Sequence, residues 1–277
     1  CSTETADNAE IVATTGVWAD VASAVTGSDV DAIITGDAVD PHHFEPSAKD
    51  LARIKGANTV VANGGAYDAA LYTAAEQDRI IYAIPLLDAE EAHDHDHEHA
   101  HDHDHMLDSL DELEHAWFAP EKVLQVAEDI ADRTGGDASD VKQRIGEIQS
   151  KLNAVPHVHI GMTETIAAGL VWGTELHDIT PEEYVKASLN HQEPSASAVA
   201  AFLEQIERGE LDMLFVNPQS TNSATQRLAD AAKAHNVPVV EIRETPPAGQ
   251  NFLDYFEEIV GQITDIAAHA EPTDHHH

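Results

Sequence analysis

The chain has 277 residues, enough for two compact units of roughly 100–150 residues each with a sizeable buried core. Its 51 acidic against 14 basic residues give a formal charge of -37, which repels nucleic acid and anionic lipid headgroups and draws cations to the surface. With 42% apolar residues the chain is globular rather than disordered, and it contains no run of about 20 apolar residues that would span a membrane. The acidic surface is expected to be a solvated, salt-tolerant one.

The one cysteine, Cys1, excludes an internal disulfide and any multi-cysteine zinc site. Followed by the polar "STETADNAE", it reads as a lipid-anchor position exposed by removal of a signal peptide, with residues 1–9 as a tether. "EIVATT" (10–15) predicts a buried strand, "VWADVASAVTG" (17–27) a helix stopped by glycine, and "DAIITG" (31–36) a second strand. "SAKDLARIKGA" (47–57) predicts a helix capped by Ser47, "TVVAN" (59–63) a third strand ended by Gly64 and Gly65, and "RIIYAIP" (79–85) a fourth. An acidic, His-rich insertion from about 88 to 113 then breaks the alternation.

"APEKVLQVAEDIADRT" (119–134) and "ASDVKQRIGEIQSKL" (138–152) read as amphipathic helical stretches around Gly135 and Gly136. The second half repeats the earlier alternation. "HVHIGM" (157–162) predicts a strand followed by a helix from about 164, "SASAVAAFLEQIER" (195–208) a helix, and "LDMLFVN" (211–217) a strand. "ATQRLADAAKAHN" (224–236) and "VPVVEI" (237–242) predict a further helix and strand before a last helix from about 251. The expected fold is α/β, with two similar lobes, each a parallel sheet flanked by helices, joined by a long linking helix. The expected boundaries are a first lobe at 10–118, a helical connection at 119–154 and a second lobe at 155–271. The stretch 272–277, with His275, His276 and His277, reads as the remnant of a purification tag.

"HDHDHEHAHDHDH" carries seven histidines in thirteen residues: His93, His95, His97, His99, His101, His103 and His105. Imidazole is a common ligand for zinc and related ions. The tract has no apolar residues with which to fix one geometry, so it is expected to hold metal loosely, and the sharper chemistry is expected elsewhere. In sheets of this kind ligands sit beyond the carboxyl ends of strands. "DPHHFEP", "EHAWFAP" and "GMTET" are the stretches placed to supply metal ligands there.

Those stretches carry a resemblance. "DPHHFEPSAKD", "ANGGAYD" (62–68), "HAW" (115–117), "MTE" (162–164), "ITPEEYVKASLNHQEPSASAVAAF" and "ETPPAGQNFLDYF" resemble the solute-binding receptors of bacterial ABC importers for zinc and manganese, from about residue 10 to 269. The resemblance implies a metal ion in the cleft between the lobes, with His42, His115 and Glu164 as ligands. Two imidazoles and one carboxylate suit Zn2+, with Mn2+ as the alternative. His43 is expected to point away from the ion. At the fourth position, where the family commonly has an acidic residue, this chain has Gln250; its amide oxygen, water, Glu244 or Asp254 would complete the shell. His191 and Glu193 of "LNHQEP" are expected near the rim, with His191 a surface or supporting residue. His157 and His159 share a strand face, with burial at the strand end expected and a His-x-His metal pair the alternative.

The resemblance further implies that the tract is a mobile collector of excess zinc ahead of His115, one that protonation silences below about pH 6. The expected protein is therefore an extracytoplasmic, lipid-anchored monomer that captures Zn2+ and passes it to a membrane permease. A zinc hydrolase is disfavoured by the lack of an HExxH or similar motif. In a third reading, the tract itself serves metal storage or adhesion.

Overall fold

The computed structural model describes residues 10–36, 41–94 and 108–270. Cys1 and the tether, most of the His tract and the last seven residues lie outside them. The chain divides into two compact units, Cys1–Ile145 with Thr245–Leu253, and Gly146–Glu244 with Asp254–His277.

The first unit holds β1 (Ile11–Thr15), α1 (Gly16–Thr26), β2 (Asp31–Ile34), α2 (Ala48–Gly56), β3 (Thr59–Ala62), α3 (Ala69–Tyr72), β4 (Ile80–Tyr82), α4 (Ala89–Asp94) and α5 (Pro120–Thr134). Its four strands are parallel in the order β2-β1-β3-β4. Val12, Val60, Ala62 and Ile80 turn one face of this sheet towards Ile54 of α2 and Leu71 and Tyr72 of α3. Ala13, Val61 and Ile81 take the alternate positions and are buried on the other face, where α1 and α5 run. α1 stops at Gly27, which takes φ 73 and returns its N–H to the Ser23 carbonyl. α2 starts in a reciprocal cap: the Ser47 hydroxyl accepts from the Asp50 N–H at 3.1 Å, and the Asp50 carboxylate accepts from the Ser47 N–H at 2.9 Å.

α6 (Ser139–Asn153) carries the chain out of the first unit, the division falling between Ile145 and Gly146. The expected linking helix is thus the second of two, because Gly135 (φ 75) ends α5 in the left-handed conformation. The second unit holds β5 (Val158–Met162), α7 (Ala168–Val171), β6 (Leu176–Asp178), α8 (Glu182–Leu189), α9 (Ala196–Glu207), β7 (Met213–Val216), α10 (Ser223–Ala234), β8 (Val239–Glu241) and most of α11 (Phe252–His269). Its strands are again parallel, in the order β6-β5-β7-β8. Leu214 and Val216 pack against Tyr184, Phe202 and Leu228 from α8, α9 and α10.

One expectation changes here. The helix expected from about 164 is a 3-10 turn, Thr165–Ala167, followed by the four-residue α7. The edge strand β6 and the helix α8 carry no prediction above: "LHD" is three residues with no alternation to mark it.

Candidate metal centre

In a doubly wound parallel sheet, ligands gather where the strand order reverses. In the first unit that point lies between β1 and β3, and a polar network fills it. Asp68, fully buried, accepts from the Thr14 hydroxyl at 2.7 Å and from the backbone N–H groups of Asn63 at 2.7 Å and Gly64 at 3.0 Å. Burial pushes its pKa up to about 6, against the pull of these donors. Asn63, also fully buried, accepts from the Trp18 indole N–H at 3.3 Å and donates through Nδ2 to the Glu114 carbonyl at 2.7 Å. The residue directly before His115 is thereby tied to the end of β3.

His115 is half-buried at the start of the 3-10 turn Ala116–Phe118. Its ring stands edge-on to two buried aromatics, Tyr67 at 5.7 Å and Trp117 at 5.2 Å between centroids. The motif "ANGGAYD" thus has a physical role: it clamps the loop that presents this imidazole. Gly64 is required in it, because at φ +100 a Cβ would fall 2.0 Å from the Ile84 carbonyl oxygen. His42 lies in a second 3-10 turn, Pro41–His43, beyond β2, and His43 is exposed. Lys122, mostly buried, pairs with Asp111, and Leu113 is buried, so the segment returning from the His tract to His115 is anchored at residues 111 and 113. Of the tract's histidines, only His93 falls in the described chain, near the end of α4; the others lie outside the described residues. Gln250 is half-buried in a turn after Gly249 (φ 81), with its N–H on the Pro247 carbonyl at 3.0 Å.

The second unit repeats the arrangement at its own reversal, between β5 and β7. Glu164 follows β5, and Asn217 and Ser220 follow β7. Asn217 Nδ2 donates to Glu164 Oε2 at 3.1 Å, and the Ser220 hydroxyl donates to Oε1. A donor on each oxygen fixes the plane of the carboxylate. Its charge adds to burial in pushing the Tyr184 hydroxyl up to about 12, and that hydroxyl donates to the Thr163 carbonyl at 3.0 Å. Glu244 is half-buried, and Asp254 is exposed in the first turn of α11. His191 and Glu193 are exposed, with His191 at φ 54. Asn217, Ser220 and Tyr67 are missing from the residues singled out by sequence. The polar run "NPQS" straight after an apolar strand is the signal for the first two.

The family model for zinc-uptake complex component A, periplasmic (ZnuA), matches residues 11–144 and 138–266. No curated protein matches the chain at the level of sequence. The crystal structure of ZnuA is similar at a TM-score of 0.65 and 16% identity, covering 94% of this chain and 98% of that one. The Zn(II)-bound ZnuA-like domain of AdcA from Streptococcus pneumoniae is similar at 0.58 and 17%, covering 93% and 98%. The SBP FpvC from Pseudomonas aeruginosa, in complex with Mn2+, is similar at 0.60 and 14%, covering 94% and 97%. At such identities these structures show the fold: two parallel four-stranded sheets flanked by helices, as in the chain described above.

Proposed function

Since the chain belongs to the family of the periplasmic component A of zinc-uptake complexes, we propose that it is an extracytoplasmic receptor that captures one Zn2+ and delivers it to the permease of an ABC importer. Members of this family are solute-binding receptors and not enzymes, so the ion is cargo. We assign its ligands to His42 and His115 of the first unit and Glu164 of the second. The observation that carries this reading is the build of the two reversal points. One orients an imidazole through Asn63, Tyr67 and Trp117; the other holds a carboxylate by a donor on each oxygen.

The choice of zinc over Mn2+ rests on two imidazoles to one carboxylate, with neutral Gln250 where an acid is usual in the family. The metal-storage reading, in which the tract is the function, gives neither reversal point a task. His42→Ala and His115→Ala are each expected to abolish tight binding of one ion while leaving the fold intact. The loss should exceed the roughly 10–100-fold that removal of an outer hydrogen-bond partner costs. Calorimetry on metal-stripped protein, with Zn2+ and Mn2+ in competition, is the check. Near-wild-type affinity in either variant removes that residue from the site, and a preference for Mn2+ replaces zinc as the cargo.

A further inference from the structure

The second sheet carries another set of imidazoles, at the end opposite to Glu164. His157 precedes β5 and His159 lies within it, two positions apart and so on one face. β6 pairs with β5 in parallel, and the partner of His159 in that register is His177. The three rings face one another with centroids 5.4, 5.5 and 5.2 Å apart. One ring nitrogen from each lies within 4.8 Å of the other two.

The expected burial of His157 and His159 does not hold: His157 and His177 are exposed and His159 is half-buried. The reason is the length of sheet that α9 covers. Two residues on from His159, on the same face, Gly161 lies so close to Phe202 that a Cβ would sit 2.8 Å from the ring. Below that contact the face opens to solvent, and imidazoles occupy it.

We propose that His157, His159 and His177, brought together on one face of the β5–β6 pair, hold a second divalent transition-metal ion of the zinc class. Tetrahedral zinc takes Zn–N bonds of about 2.0–2.1 Å, which sets ligand nitrogens roughly 3.4 Å apart. Nitrogens already within 4.8 Å of one another need to close by roughly 1.4 Å at most to reach that spacing. Glu175 supplies what a histidine ligand needs behind it. Its Oε2 lies 3.1 Å from His157 Nδ1. A proton held there fixes the tautomer and turns the Nε2 lone pair towards the ion. Water completes the shell. Three imidazoles without a carboxylate select Zn2+, Cu2+ or Ni2+ over Mn2+, Mg2+ and Ca2+. The ion would tie the edge strand β6 to β5 and so favour the folded state.

The test is equilibrium dialysis of the full chain at fixed free Zn2+, comparing the wild type with His157→Thr and His177→Thr. Threonine suits an exposed strand position, so both variants keep the sheet, which circular dichroism verifies. Each variant should bind one Zn2+ fewer per chain, while its single Mn2+ equivalent stays. Glu175→Gln should weaken the same equivalent by roughly 10–100-fold. An unchanged zinc count in the folded threonine variants overturns the proposal. A count that falls in Glu164→Ala and not in these variants also overturns it, yet keeps the receptor reading. A count that falls here and not in Glu164→Ala does the reverse.

Discussion

His115, which we propose as a metal ligand, illustrates how one side chain is positioned by its neighbours. Its backbone neighbour Glu114 is held by Asn63, Asn63 sits on the N–H to Asp68 bond, and its ring leans on Tyr67 and Trp117. Asp68 therefore belongs to the stability of this clamp. Replacing it with Asn turns one acceptor into a donor opposite Thr14 or a backbone N–H, and the expected cost is about 1–3 kcal/mol. The pH dependence has a definite sign. The folded pKa, about 6, lies above the unfolded value, so this carboxyl favours the folded state at low pH, and that contribution is lost as pH rises towards 6. Asp68→Asn should thus destabilise more at about pH 4 than at pH 7, as read from urea titrations at both; the opposite order would mean that its donors outweigh burial. Gln250 is the second residue with a directional prediction. In the proposed shell a carboxylate at this position would be harder and more anionic, so Gln250→Asp should strengthen Mn2+ binding more than Zn2+ binding. An unchanged ratio of the two dissociation constants would turn attention to Glu244 or Asp254.

At the scale of elements, the strands of each sheet's centre are legible because burial on both faces makes them continuous apolar runs, as in "TVVA" and "MLFV". Helix ends follow from Ser47, Gly27 and Gly135, whose caps the structure contains. β6 escapes because a three-residue edge strand has no period, and with it goes His177, whose cross-strand pairing no local pattern encodes. His42, His115 and Glu164 stand out through motif context, whereas Asn217 and Ser220 act through a turn whose geometry depends on the tertiary fold. The His tract, by contrast, is conspicuous in sequence, and we propose that it is separable in function from the receptor site. Deleting residues 93 to 105 should lower the total zinc bound per chain and leave the proposed tight receptor site intact, because Lys122, Asp111 and Leu113 anchor the segment that leads into His115. Loss of all tight binding on deletion, measured by calorimetry, would move the primary site into the tract.

Across the whole molecule, the charge of -37 acts against compactness. Arg133 makes three bonds, to the Thr59 hydroxyl at 2.7 Å and to the Asp78 and Asn58 carbonyls at 2.8 and 2.9 Å, tying α5 to the chain before β3 and β4. Self-repulsion is screened by salt, the Debye length falling from about 10 Å at 0.1 M to about 3 Å at 1 M. Thermal unfolding followed in potassium chloride over that range should shift upwards by several degrees; a flat response would mean that the acidic groups are too dispersed to matter. The chain also returns late to its first unit. Thr245–Leu253 belongs there, with the Phe252 N–H on Asp20 at 2.9 Å and its ring against Phe118. Made from the amino end at about 5–20 residues per second, the first unit has its sheet early and waits on nine-tenths of the chain for its final strap. Until then Asp20 and Phe118 lack that partner, so the nascent protein remains an unfinished client of whatever escorts it, and release before residue 253 yields a unit that is never closed.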